Sequence, residues 1–345
     1  MILLFSLLIA SAVFQGRQGQ LYLFIFFIII FLYAGLRGDV GQDTLSYVRM
    51  YNEYGGVPVT NWFFVMEPLF VLLVWLHKLL FDNVTNFFLL FSAFQVFLLS
   101  VASKGLHHRN LFLFLYAIIF FFEFNLNILR AGSAFLIFLC SLSLSNKSDK
   151  ASFFIFLVAS LFHLSVLAFF PILISRINRP FKYIVGYFFS IVIFGIIFFP
   201  IIHHKFLFYI SSMDLSLKWS TILFILTSIF IFTLILKRKI NSILLNASLI
   251  LIFTIFLIPY IGIAYRLLQG ALIVIFYLLC ERKLINVREL KADPNILFIT
   301  ALAIWFALFN WSFYLGEQEM RIRTGKGDPS YSFIPYSTFL KSNNR

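Results

Sequence analysis

The stretch FIFFIIIFLYAGLRGDVGQDTLSYVRMYNEYGG, residues 24–56, passes from one solvent to another within a few positions. Residues 24–34 carry no charge, whereas residues 35–56 hold Arg37, Arg49, Asp39, Asp43, Glu53, five glycines and three tyrosines. EPLFVLLVWL, residues 67–76, then returns to apolar sequence. An α-helix crosses the hydrocarbon layer of a bilayer with about 20 apolar residues. Runs near that length recur along the whole chain, so the polar stretch reads as a loop between membrane segments.

Composition supports this. Of 345 residues, 61% are hydrophobic and only 12% charged, against about 25% charged in an ordinary soluble domain. Mean hydropathy is +0.96. The expected fold is all-α: a polytopic integral membrane helical bundle of about 10–12 membrane segments. Residues 1–345 form one transmembrane domain, with an outer-face polar loop at 37–66 and a C-terminal tail at 316–345. The longest polar stretches leave no room for a soluble domain, so chemistry has to be assembled from helix ends and short loops.

The net charge of +13 would suggest nucleic acid in a soluble protein. Here it reads as topology, because Lys and Arg collect in cytoplasmic loops and meet lipid headgroups; no nucleic-acid partner is expected. Cys140 and Cys280 both lie in apolar runs and behave as small hydrophobes. No metal-ligand spacing occurs, and neither a metal nor another cofactor is expected. The 49 phenylalanines read as lipid-facing and packing residues. MILLFSLLIASAVF at the start lacks a basic leader and is expected to be an uncleaved first helix.

Membrane segments are expected at 2–14, 21–36, 84–103, 111–127, 131–145, 183–202, 220–236, 242–264, 267–280 and 296–315. Two further apolar segments fit crossing less well. Segment 152–175 has basic flanks on both sides, NKSDK and SRINRPFK, and is expected to be a broken, re-entrant element with His163 near its apex. The segment at 65–81 is short and carries Glu67, His77 and Lys78, which suits the outer surface. Ten crossings with both termini outside then concentrate basic residues in the inside loops.

Arg37, Arg130 and Arg266 each stand alone at an abrupt end of an apolar run, and in this topology all three open to one face. An arginine at the centre of a membrane helix costs about 3 kcal/mol, so such residues usually serve a substrate path or a counter-ion; the alternative is snorkelling to headgroups. The planar guanidinium grips phosphate at two points and stays charged. Several at an outer membrane–water boundary suit a lipid-linked phosphate or pyrophosphate, whose developing charge on departure cations can neutralise without a metal.

Asp39, Asp43 and Glu67 are the acids near this loop. Asp43 is also a natural N-cap for TLSYVRMYNEY. His163 is a lone histidine in an apolar run, either a packed core residue or a general base, and Glu67 competes for the second role. Glu123, in FFFEFN, is either buried against an arginine or turned toward water. The pairs His107–His108 and His203–His204 sit beside cations at segment ends and read as interface residues.

LRGDVGQDTLSYVRMYN (36–52), EPLFVLLVWL (67–76), NLNILRAGSAFLIFL (125–139), SLFHLSVLAFFPI (160–172), YRLLQGALI (265–273) and FIPY (333–336) occur in that order. Together they resemble the EpsG-type branch of the Wzy polysaccharide polymerases. Ala131 stands where that family often has glutamine, and Val166 where it usually has alanine. The resemblance implies an enzyme of the bacterial inner membrane, with its active site facing outward. Such a glycosyltransferase moves a growing O-antigen, capsule or exopolysaccharide chain from undecaprenyl pyrophosphate to a sugar hydroxyl of a lipid-linked repeat unit. The expected partners are that lipid-linked oligosaccharide, the bilayer, a chain-length regulator and a flippase. Arg37, Arg130 and Arg266 would then hold pyrophosphates. Asp39, Asp43 and Tyr47 would hold the loop or a sugar, and His163 or Glu67 would take the acceptor proton. The rival readings are an O-antigen ligase, a flippase or transporter, and a membrane acyltransferase.

Overall fold

A computed structural model describes residues 2–14, 16–38, 43–54, 66–145, 147–176, 181–199, 203, 242–257 and 263–281. Among these no strand occurs, and nearly every residue is helical. The chain is an all-α helical membrane protein. The expected segments at 220–236 and 296–315, the tail at 316–345 and Asp39 lie outside the described residues.

The first elements are α1 (Ile2–Val13), α2 (Arg17–Gly35), α3 (Thr44–Tyr54), α4 (Pro68–Phe81), α5 (Val84–Lys104) and α6 (Arg109–Leu115). α6 runs without a break into a π-helical segment, Tyr116–Asn127, and α7 (Leu129–Leu144) follows. Next come α8 (Asp149–Phe162), a 3₁₀ turn at Leu164–Phe169, α9 (Phe170–Arg176), α10 (Phe181–Ile197), α11 (Ser242–Leu257) and α12 (Ile263–Glu281).

Three of these helices are long and apolar enough to cross a membrane: Arg17–Gly35, Val84–Lys104 and Arg109–Asn127. At 1.5 Å per residue a 19-residue helix spans roughly 28 Å, about the thickness of the hydrocarbon layer. α4, with 14 residues, reaches only roughly 21 Å, which suits the surface position expected for 65–81.

Sequence explains the local form of each element. α5 starts at Asn83, whose side chain accepts the Asn86 N–H at 3.1 Å, and α8 starts at Ser148, which accepts from Ala151 at 3.3 Å. Both are N-caps that satisfy a first-turn donor. α3 is amphipathic at helical period, burying Thr44, Tyr47 and Tyr51 while Ser46, Arg49, Asn52 and Glu53 face outward. Long runs of α7 and α12 are buried on all sides. Phe24, Leu90, Phe97, Phe188, Ile196 and Phe253 are exposed, as lipid-facing positions should be.

The described residues fall into two compact units. One comprises the described parts of Met1–Val57, Leu73–Gly132 and Cys280–Arg345; the other those of Pro58–Leu72 and Ser133–Leu279. In the first, α2 packs on α1 and α5, and α6 on α1 and α5. In the second, the 3₁₀ turn packs against α8, α9 and α11. Segment 152–175 is broken at His163, as its sequence predicts. That residue is extended, at φ −159° and ψ 121°, between two helical stretches.

Candidate active site

In the first unit the polar residues gather where the π segment ends. Its last turn makes one wide backbone bond, Ile128 N–H to Glu123 O at 2.7 Å, and the chain then turns through Ile128 into α7. Such a break leaves carbonyls with no helical partner, and side chains take them. Gln95 Nε2 donates to one of these, Phe124 O, at 2.8 Å, and also reaches Leu129 O on the first residue of α7 at 3.2 Å. Arg37 Nη1 donates to Asn125 O at 2.7 Å, and its guanidinium lies 4.2 Å over the Phe88 ring.

The asparagine side chains extend this network. Asn125 accepts from Tyr116 Oη at 2.6 Å and donates to Gln95 Oε1 at 3.0 Å. Asn127 donates to Glu123 Oε2 at 3.3 Å and accepts the backbone N–H of Asp43 at 3.0 Å. Tyr47 Oη accepts the Arg130 backbone N–H at 3.4 Å, with the Arg130 guanidinium 6.0 Å from the Tyr47 ring. The start of α3 is therefore held against the break at two points, and Arg130 is displayed on the first turn of α7. Buried amides and carbonyls satisfied in this way rigidify a site.

The second unit holds Glu67 and His163, both buried. Glu67 precedes α4, and its carbonyl accepts the Val71 N–H at 3.1 Å. Pro68 occupies the first helical position, where a missing N–H costs nothing. Glu67 Oε1 lies 3.8 Å from His163 Nε2. On the other side of the ring, Nδ1 lies 2.6 Å from Ser165 Oγ and accepts the Ser165 N–H at 3.2 Å. His163 thereby caps the 3₁₀ turn with its own ring.

The structure thus brings Arg37, Asp43, Tyr47 and Arg130 into one cluster, and Glu67 and His163 into another. Arg37 is wholly buried, whereas Arg130 is partly exposed. Arg266 is in the first turn of α12, also partly exposed. Asp43 immediately precedes α3, as expected of a cap position, and Glu123 is buried against Asn127. Of the histidine pairs, His107 and His203 are exposed. His108 is buried instead, and its backbone N–H reaches Cys280 O at 3.0 Å.

Sequence reasoning did not single out Gln95, Tyr116, Asn125, Asn127 or Ser165. A signal existed for most of them. Gln95 is a lone amide in an apolar run, and the asparagines flank the break beside Arg130. Buried polar groups in such surroundings need partners.

No curated protein and no solved structure matches the chain. The sequence model of the EpsG family matches residues 20–338, a range that contains every motif from the loop at 36–52 to FIPY at 333–336. This match supports a polysaccharide-polymerase-like role in a multi-pass membrane protein. With all-α membrane architecture and the ordered motifs inside one continuous match, the chain belongs to the EpsG family.

Proposed function

We propose that the chain polymerises a bacterial surface polysaccharide at the outer face of the inner membrane. A hydroxyl oxygen of the incoming lipid-linked repeat unit attacks the anomeric carbon of the growing chain. The bond from that carbon to undecaprenyl pyrophosphate breaks, its electron pair leaves with the pyrophosphate, and the hydroxyl proton passes to the Glu67–His163 pair. Arg130 and Arg266, both partly exposed, meet the pyrophosphates with their two-point guanidinium geometry. Arg37 adds its charge from a buried position, while Asp39, Asp43 and Tyr47 shape the loop that receives the sugar.

The observation that supports this reading best is the buried Glu67–His163 pair, at 3.8 Å, in a chain of this family. A carboxylate and an imidazole within reach of one hydroxyl oxygen are the usual equipment for general-base catalysis. Guanidinium groups supply the positive charge that a departing pyrophosphate requires. Polymerisation in washed membrane vesicles should therefore continue, within about twofold, after chelation of divalent ions.

The test is the gel ladder of surface polysaccharide from a strain lacking this chain, with and without a wild-type copy. Loss of the ladder with single repeat units retained, and its return on complementation, supports polymerisation. Loss of all surface glycan, single units included, would point to a flippase or a ligase and defeat the proposal.

A further inference from the structure

We propose that His163 donates a hydrogen bond to the acceptor hydroxyl rather than serving as the base, that Ser165 fixes its tautomer, and that the Glu67 carboxylate accepts the hydroxyl proton. This inference rests on the polymerase reading and divides the labour within its acid–imidazole pair.

A backbone N–H only donates, and that of Ser165 points at His163 Nδ1 from 3.2 Å. Nδ1 must therefore present its lone pair. A proton on Nδ1 would face the Ser165 N–H hydrogen head-on. With the lone pair on this nitrogen, the Ser165 hydroxyl, 2.6 Å away, is the donor of that contact too. A neutral imidazole carries a single ring hydrogen, so it resides on Nε2, the atom facing Glu67 Oε1 at 3.8 Å.

Two consequences follow. With Nδ1 committed to Ser165 and Nε2 already protonated, the ring has no lone pair to offer an incoming hydroxyl. The Glu67 carboxylate has lone pairs only. Moreover, two atoms 3.8 Å apart can both lie about 2.8 Å from one hydroxyl oxygen. That oxygen accepts from His163 Nε2–H and donates to Glu67 Oε1. As the bond to the anomeric carbon forms, the proton moves to Glu67, and His163 keeps its own.

The extended backbone at His163 is part of the device. Because the residue caps the 3₁₀ turn through its ring, the ring cannot rotate without losing the cap. Orientation and tautomer are set together by a feature built into the helix break.

Amide substitutions separate the possibilities, because a glutamine N–H reaches the place of Nε2 while an asparagine oxygen reaches the place of Nδ1. The experiment measures the initial rate of repeat-unit polymerisation in vesicles carrying the full-length chain. The substrate is the strain's own undecaprenyl-pyrophosphate-linked unit, and rates are taken per folded protein from detergent gel filtration. His163→Gln should keep the rate within about tenfold of wild type, while His163→Ala and His163→Asn should lose about a hundredfold or more. Glu67→Gln should lose about a thousandfold. Ser165→Thr, which keeps the hydroxyl, should retain more activity than Ser165→Ala. If His163→Gln is no better than His163→Ala, the imidazole is the base and the proposal is overturned. Rescue by asparagine equal to that by glutamine would reduce His163 to a helix cap and overturn it equally. Failure of wild-type vesicles to polymerise at all would instead strike the polymerase reading itself.

Discussion

Asn127 Oδ1 accepts the backbone N–H of Asp43 at 3.0 Å while Asn127 Nδ2 donates to Glu123 at 3.3 Å. One amide therefore ties the polar loop to the break between the π segment and α7. Asn127→Ala removes both bonds among buried groups and should cost about 1–3 kcal/mol. Asn127→Asp keeps an acceptor for Asp43 but sets a second carboxylate against Glu123, and should cost more. Thermal unfolding in detergent checks the order, and a variant as stable as wild type would refute the clasp.

Gln95 serves three partners, Phe124 O, Leu129 O and Asn125 Nδ2. Gln95→Leu preserves bulk but removes every one of those bonds, so it should lower stability by about 2 kcal/mol or more. Gln95→Glu retains an acceptor for Asn125 and loses both donors to carbonyls, and it should be no better. The measurement is again the midpoint of thermal unfolding.

Gly132 sits where α7 leaves the break. A Cβ there would lie 2.6 Å from Phe124 Cβ and 2.7 Å from Phe124 O. The backbone of Phe124 is held by Gln95 and has little freedom to retreat. Gly132→Ala should therefore destabilise by about 1–3 kcal/mol, even though alanine is the better helix former. A rise in melting temperature would show that the π segment yields.

Much of this was legible in the residues. Charge and glycine content marked the polar stretch at 35–56, and the lone Arg130 marked one of its partners. The basic flanks and the histidine of segment 152–175 predicted a break, which the structure puts at His163. What the residues could not show was the wide turn of Tyr116–Asn127. Phenylalanines and isoleucines fit α- and π-helical spacing equally well, and the choice depends on Gln95 and Arg37 reaching carbonyls from distant sequence. The role of Ser165 was hidden for a related reason, since it follows from a backbone N–H that every residue but proline possesses.

His77 lies outside the three long spanning helices, its Nδ1 3.1 Å from Tyr51 Oη. Burial holds its imidazole below the ordinary value of 6.5. The folded state therefore binds this proton less readily than the unfolded chain. Its contribution to stability is complete above about pH 6.5 and is lost as pH falls below that value. The fall in melting temperature between pH 7 and pH 5 should be smaller in His77→Gln than in wild type; equal falls would exclude His77 as a source.

Arg130 and Arg266 carry the proposed pyrophosphate contacts, and lysine preserves charge without the fork. Arg130→Ala and Arg266→Ala should collapse the polysaccharide ladder toward single units at normal protein level. Arg130→Lys should lower the polymerisation rate by about tenfold, roughly 1.4 kcal/mol. Wild-type chain lengths in the alanine variants would remove both residues from the mechanism.

The groups that meet the break at Ile128 come mainly from earlier in the chain: Arg37, Asp43, Tyr47 and Gln95. During synthesis these residues leave the ribosome before the carbonyls and amides they engage. The π segment therefore enters the bilayer beside partners that are already in place, and its awkward backbone has somewhere to settle on arrival. A permuted chain that delivered residues 109–145 first would present the same polar groups to lipid alone. Such a chain should insert poorly, although its finished contacts would be identical.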